Sequence, residues 1–259
     1  MAARIKHVAI RTTSSEKAQL MSEFYGSLFG MLHNNRISDG YVWASLSARG
    51  WARQAGPDHF GLVVEDIDEV MERSKAAYPA INFLKRPDTR PFAEIGTHDP
   101  AGNVFDLYQS RPDTRTSEEE QPRHLSHLQL RAVNPGALAE FYQEVYGLQL
   151  EPRAADDPHF ALTDGRVTLV IAQWNILDYA DTGVARPAID HLGFKVESLD
   201  AFKADVDELM ESRPELFPAG KKGPTEDARM LEILAAGCPR GELQLHDPDG
   251  WLLDVSEAP

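Results

Sequence analysis

The sequence predicts an α+β protein of four βαβββ modules paired into two tandem domains, each a curled mixed sheet forming a cup with helices outside. Three observations predict it. Two patterns each occur twice: Asp-His-x-Gly-x-x-Val-Glu at Asp58-His59 and Asp190-His191, and His-Asp-Pro-x-Gly-x-x-x-Asp at His98 to Asp106 and His246 to Asp254. Upstream of each pair lies a strand-like segment with a central histidine, Ile5 to Ile10 around His7 and Leu125 to Leu130 around His127. Between the repeats, Arg111 to Arg123 is polar, flanked by prolines and without apolar periodicity, which reads as a linker. The expected domains are residues 1–110 and 124–259.

Within each half the order reads strand, helix, strands, twice over. In the first unit Leu20, Met21, Phe24, Tyr25, Leu28 and Phe29 share a helical face after Ser14-Ser15, a capping pair. In the third, Asn134-Pro135 supplies a cap and a first-turn proline, and Leu138, Phe141, Tyr142, Val145 and Tyr146 form the matching face. Both helices run from a Phe-Tyr pair to a glycine, Gly30 and Gly147, suited to a left-handed C-terminal cap. The second and fourth helices begin at Asp66-Ile67-Asp68 and Ser198-Leu199-Asp200, with Val70, Met71, Phe202, Val206, Leu209 and Met210 inward.

The spacing of the repeats differs. Forty-seven positions separate His59 from Asp106 and 63 separate His191 from Asp254, the excess falling mostly within 211–240, a stretch punctuated by Pro and Gly and a candidate lid.

Composition narrows the function. With 259 residues and 42% apolar side chains the chain can bury cores of ordinary size. A net charge of −15 offers no basic stripe for phosphates, so no nucleic-acid partner is expected. No run approaches the roughly 18 apolar residues of a membrane span, and the N-terminus lacks the apolar core of a secretion signal. A single cysteine, Cys238, excludes an internal disulfide and a thiolate cage. A cytoplasmic protein without a membrane partner is expected, and self-association stays open.

Alternation along strands brings the chemistry into view. It groups His127, Gln129 and Arg131 against Leu128 and Leu130, and His191, Gly193, Lys195 and Glu197 against Leu192, Phe194 and Val196. Leu252, Asp254 and Ser256 share a face opposite Leu253 and Val255. Each histidine and aspartate thus lies on the polar side of a strand with an apolar reverse. Two histidines and one carboxylate are a standard way to hold a divalent transition metal with positions left open. The candidate sets are His127, His191 and Asp254, and His7, His59 and Asp106.

These residues resemble a family. The strand–helix–strands repeat, the Phe-Tyr to Gly helix end, the Asp-His-x-Gly strand and the Asp-Pro-x-Gly ending are similar to the vicinal oxygen chelate superfamily. That superfamily spans glyoxalase I, methylmalonyl-CoA epimerase, bleomycin- and fosfomycin-resistance proteins and extradiol ring-cleaving dioxygenases. The resemblance covers nearly the whole chain outside the linker and the 211–240 insertion.

Four modules in one chain are similar to the two-domain extradiol dioxygenases, whose C-terminal domain usually carries iron. The resemblance places the family's ligands on His127, His191 and Asp254, with aspartate where glutamate is usual. The fourth carboxylate of glyoxalase-like members has no counterpart within Tyr41 to Leu46 or Arg166 to Ile171. Three protein ligands would leave room for a chelating substrate and O2. The resemblance therefore implies a metal-dependent dioxygenase acting on a catechol-like or hydroxylated aromatic molecule. Fe(II) is the first expected ion, with Mn(II), Zn(II), Ni(II) and Co(II) as alternatives.

The tyrosine that ring-cleaving relatives place before the Asp-Pro turn is missing, since the chain reads Leu243-Gln244-Leu245-His246. His246 is the candidate acid or base in its place; Tyr142, His159 and Tyr179 are lesser candidates, and Cys238 is assigned no role. Arg131 and Lys195 are candidates for binding a substrate carboxylate. The larger insertion favours the second half for catalysis and leaves His7, His59 and Asp106 as a second metal site or a vestige. A glyoxalase-type isomerase or lyase and a non-catalytic resistance-type binding protein are the competing readings.

Overall fold

Short-range chemistry sets where each helix starts and stops. The computed structural model describes residues 2–31, 36–48, 55–90, 92–109, 119, 121–176, 188–217 and 240–258. Strand β1 (Arg4–Thr12) leads into α1 (Ser15–Phe29), whose N-cap Ser14 accepts a hydrogen bond from the Lys17 amide. Helix α1 stops at Gly30, whose φ of 66° is left-handed and favours glycine. Strands β2 (Arg36–Ser38), β3 (Trp43–Ala48) and β4 (Gly56–Val64) follow, then α2 (Ile67–Ala77), capped by Asp66, and β5 (Leu84–Lys85), β6 (Ile95–His98) and β7 (Val104–Gln109).

The second half repeats the sequence of elements. Strand β8 (His124–Ala132) precedes α3 (Pro135–Tyr146), with N-cap Asn134 and the left-handed Gly147 at its end. Next come β9 (Gln149–Leu150), β10 (Phe160–Thr163), β11 (Thr168–Gln173) and β12 (Ile189–Val196). Helix α4 (Leu199–Ser212), capped by Ser198, a 3-10 turn (Pro214–Leu216), β13 (Leu243–His246) and β14 (Leu252–Glu257) complete the chain. Helix α4 extends into the expected insertion; most of the rest of that stretch, most of 111–123, Tyr179 and Cys238 lie outside the described residues.

The fold is α+β, with four α-helices and two seven-stranded mixed sheets among the described residues. One sheet runs β2-β3-β1-β4-β7-β6-β5 and the other β13-β14-β12-β8-β11-β10-β9, so each sheet draws its strands from one sequence half. The second and third modules are complete βαβββ units; the first and fourth show βαββ among the described residues. No described helix is long and apolar enough to cross a membrane.

Compact packing groups the modules differently from the sheets. Residues 1–8, 59–116 and 127–190 form one unit, and residues 9–58, 117–126 and 191–259 the other. Each unit is stitched by the same two devices. In the first, Asp164, in the turn between β10 and β11, accepts the amides of Arg166 and Val167 and also that of Ile5, 159 positions away. In the second, Asp39 accepts Tyr41, Val42 and, 86 positions away, Leu125. Ile5 and Leu125 each lie two residues before a candidate ligand histidine.

The second device joins the repeated Phe-Tyr pair to the repeated Asp-Pro turn. Tyr142 donates to Asp99 at 2.9 Å in the first unit, and Tyr25 to Asp247 at 3.3 Å in the second. Asp99 also accepts the amides of Ala101 and Asn103, and Asp247 those of Asp249 and Trp251. Burial pushes both carboxyls above their ordinary value, Asp247 to about 7. Around these bonds lie stacked, tilted and edge-on rings: Phe60, Phe105, Tyr142 and Tyr146 in the first unit, and Tyr25, Phe29, Phe194 and Phe202 in the second. Such ring pairs add about 0.5–1.5 kcal/mol each beyond the area they bury.

Candidate metal centre

Parallel pairing explains why the ligand candidates converge. Gly193 of β12 is in register with Asp254 of β14, and in the first half Gly61 of β4 is in register with Asp106 of β7. Residues in register share a face, and His191 and His59 share it by alternation two positions earlier. The glycine of Asp-His-x-Gly therefore lies beside the carboxylate. Its lack of a side chain matters, because a Cβ on Gly61 would meet the Cβ of His7 at 3.0 Å.

In the second half all three residues are buried, and their ligand atoms lie within 4.8 Å of one another. His191 Nε2 stands 3.8 Å from Asp254 Oδ2, too long for a hydrogen bond. With metal–ligand distances of about 2.1 Å, two donors on one ion are about 3 Å apart when cis and at most about 4.2 Å. Two imidazoles and a carboxylate at that spacing fit a divalent transition metal. Among the described residues this is the group of three that meets the spacing.

Three further residues, given no role in the sequence reading, surround the set. Gln244 of β13 is in register with Asp254 and donates Nε2 to its Oδ1 at 3.0 Å. The main chain at Gly241 crowds the same carboxylate, where a Cβ would come within 1.5 Å of Oδ1. Asp190, the residue before His191, accepts from Arg131 Nε at 2.7 Å and from Gln129 Nε2 at 2.9 Å. Gln129 and Arg131 alternate with His127 on β8, so this network aligns that strand's polar face.

The other expected residues are placed as follows. Arg131 is buried, and its guanidinium contacts Asp190 and the Gln173 carbonyl. Lys195 is half-buried and in register with Ser256, on the Asp254 face. His246 is half-buried and in register with Leu252, which also puts it on that face. Tyr142 is fully engaged with Asp99, and His159, half-buried, is held below its ordinary pKa by burial. Thr168, the register neighbour of His127, donates to Glu151 Oε1 at 2.8 Å. That glutamate lies outside the strands in which a fourth carboxylate was sought; no local sequence signal marks it.

The first half treats the same residue types differently. His59 Nε2 approaches Asp106 Oδ2 at 3.1 Å, and Arg86 Nε donates to Asp106 Oδ1 at 3.0 Å. Burial pushes Asp106 up, but the contacts with His59 and Arg86 outweigh it and hold the carboxyl below its ordinary value. His7 stacks on Phe92, with centroids 5.1 Å apart, and its ring centre lies 5.7 Å from that of His59. In this set a guanidinium already sits on the carboxylate.

No family model matches the chain, and no curated protein matches it in sequence. Solved structures do. The Mn(II)-bound glyoxalase from Novosphingobium aromaticivorans superposes with a TM-score of 0.65 at 15% identity, covering 99% of this chain and 82% of that one. The 2,2',3-trihydroxybiphenyl 1,2-dioxygenase from Sphingomonas wittichii strain RW1 gives 0.65 at 12% identity, covering 100% and 91%. Homoprotocatechuate 2,3-dioxygenase from Arthrobacter globiformis gives 0.62 at 16% identity, covering 99% and 80%. At these identities the likeness establishes the fold alone, over nearly the whole chain.

Proposed function

We propose that this chain, with the fold shared by glyoxalases and extradiol dioxygenases, is a metal-dependent dioxygenase whose working site is in the second half. The observation that carries the reading is the buried convergence of His127, His191 and Asp254. Fe(II) is the proposed ion and a catechol-like or hydroxylated aromatic molecule the proposed substrate. When bound, the ion would supply a Lewis acid and a template for two substrate oxygens and O2.

The chain's own groups have distinct tasks. Gln244 fixes the orientation of Asp254 through a neutral amide. We assign proton handling to His246, on the Asp254 face two residues beyond Gln244. Lys195, on the same face, is the group assigned to an acidic substituent of the substrate. Arg131 is assigned to holding Asp190 and the face of β8.

The test is anaerobic loading with Fe(II), then oxygen uptake against a panel of catechols, hydroquinones and hydroxy-acids. Uptake with at least one aromatic diol is expected, and His191→Ala should abolish both uptake and iron binding in the second half. Full iron occupancy with no uptake across the panel would overturn the dioxygenase reading. One observation favours a glyoxalase-type isomerase instead: the Glu151 carboxylate beside Thr168, next to His127 in register. In that case Glu151→Gln would remove proton exchange at a substrate carbon, and no metal would support oxygen uptake.

A further inference from the structure

We propose that His7, His59 and Asp106 form a latent metal site kept shut by Arg86, which supplies from within the chain the positive charge that an ion would bring. The argument rests on matched positions in the two halves. Gly96 and Gln244 each stand two residues before the repeated His-Asp-Pro turn, and each is in register with its half's aspartate, Asp106 or Asp254. In the second half the Gln244 side chain fills that place and gives the aspartate a neutral donor at 3.0 Å.

In the first half the place is empty of side chain, and Arg86, just after β5, enters it. A Cβ on Gly96 would stand 2.9 Å from Arg86 Nε and 3.1 Å from Asp106 Oδ1. The Arg86 side chain is only 19% exposed, and that of Asp106 only 1%. A divalent ion arriving at Asp106 would have to displace a partly buried ion pair or face a fixed cation within a few ångströms. Close like charges in such a partly buried place are poorly screened and repel.

The donors themselves are in place. His59 Nε2 and Asp106 Oδ2, 3.1 Å apart, already have the spacing of two cis ligands of one ion. Gly61 leaves the adjoining room for the His7 ring, which Phe92 holds by stacking. What the first half lacks is a neutral partner for Oδ1. Arg86→Gln would provide one, since a carboxamide there reproduces the contact that Gln244 makes.

The experiment measures Mn(II) bound per folded chain by equilibrium dialysis, with thermal melting to verify the fold. It is done in the intact chain and in a His191→Ala background that silences the second set. The wild-type chain should bind about one equivalent and the Arg86→Gln chain about two, the added one disappearing in Arg86→Gln/His59→Ala. Arg86→Lys, which keeps the charge, should stay at about one. Arg86→Ala is the second uncharged variant should the Gln variant melt early. A wild-type equivalent that is lost on His59→Ala, or a folded uncharged variant that gains none, would overturn the proposal. The His191→Ala background makes this separable from the proposed function: metal binding unaffected by His191→Ala would count against the second-half site and leave the Arg86 comparison readable.

Discussion

In the first half Asp106 meets a guanidinium; at the matching place in the second half Asp254 meets a carboxamide. The same inversion recurs one shell away. Each first histidine is followed four residues later by an arginine that pairs with the aspartate before the second histidine: Arg11 with Asp58, and Arg131 with Asp190, both at 2.7 Å. The first pair is 37% and 27% exposed, the second 6% and 8%. The halves thus keep one set of residue types but place the buried cation differently. In the first it sits on the candidate ligand itself. In the second it sits on the neighbour, Asp190, and the ligand meets the Gln244 amide. The difference teaches that a donor set is defined as much by what neutralises it as by its histidines.

The comparison is most exposed at the glycines beside the two aspartates. Gly241→Ala should abolish metal binding in the second half, since its Cβ would fall 1.5 Å from Asp254 Oδ1 and the short aspartate cannot retreat without leaving the site. Gly96→Ala should leave that binding unchanged, because the nearest atom is the far end of Arg86. Equal losses in a metal titration would mean that the two aspartates do not act independently.

The arginine pairs give the next effect. Asp190→Ala leaves a buried guanidinium without its carboxylate and should cost about 3–5 kcal/mol in denaturant unfolding. Asp58→Ala, in a partly exposed pair, should cost about 0–1 kcal/mol. A similar cost at both positions would sink the contrast drawn from burial.

The smallest effect is a slope with pH. Asp247, raised by burial from 3.8 to about 7, keeps its proton in the folded chain while the unfolded chain gives it up. The folded state then binds more protons between those values, so this carboxyl's contribution to stability is whole below pH 3.8 and is lost as pH rises to about 7. Asp247→Asn should therefore gain stability over wild type between pH 4 and pH 7 and hold a constant advantage above. A constant difference across that range would remove the assignment.

Much of this was legible in the chain. The caps at Ser14, Asn134, Gly30 and Gly147 follow from short-range rules, and strand alternation puts His127, His191 and Asp254 on polar faces. Alternation also put His7, His59 and Asp106 there, and could not distinguish the sets. Arg86 stands twenty positions before Asp106 and belongs to no periodic pattern, so only folding brings it to the carboxylate. Gln244 lies in the stretch where a tyrosine was missing, but no sequence signal marked it as a donor to Asp254. The Tyr-to-Asp bonds had a signal, since both partners recur in both halves, but periodicity tells which face of a helix is apolar and not which turn will cover it.

The aspartate clamps on Ile5 and Leu125 bear on how such a chain can be divided. Each reaches from the turn of one half to the first strand of the other, so a break within 111–123 would leave both fragments short of a partner that only the other fragment carries. Each half supplies a clamp that the other needs, and their covalent connection fixes the ratio at one to one.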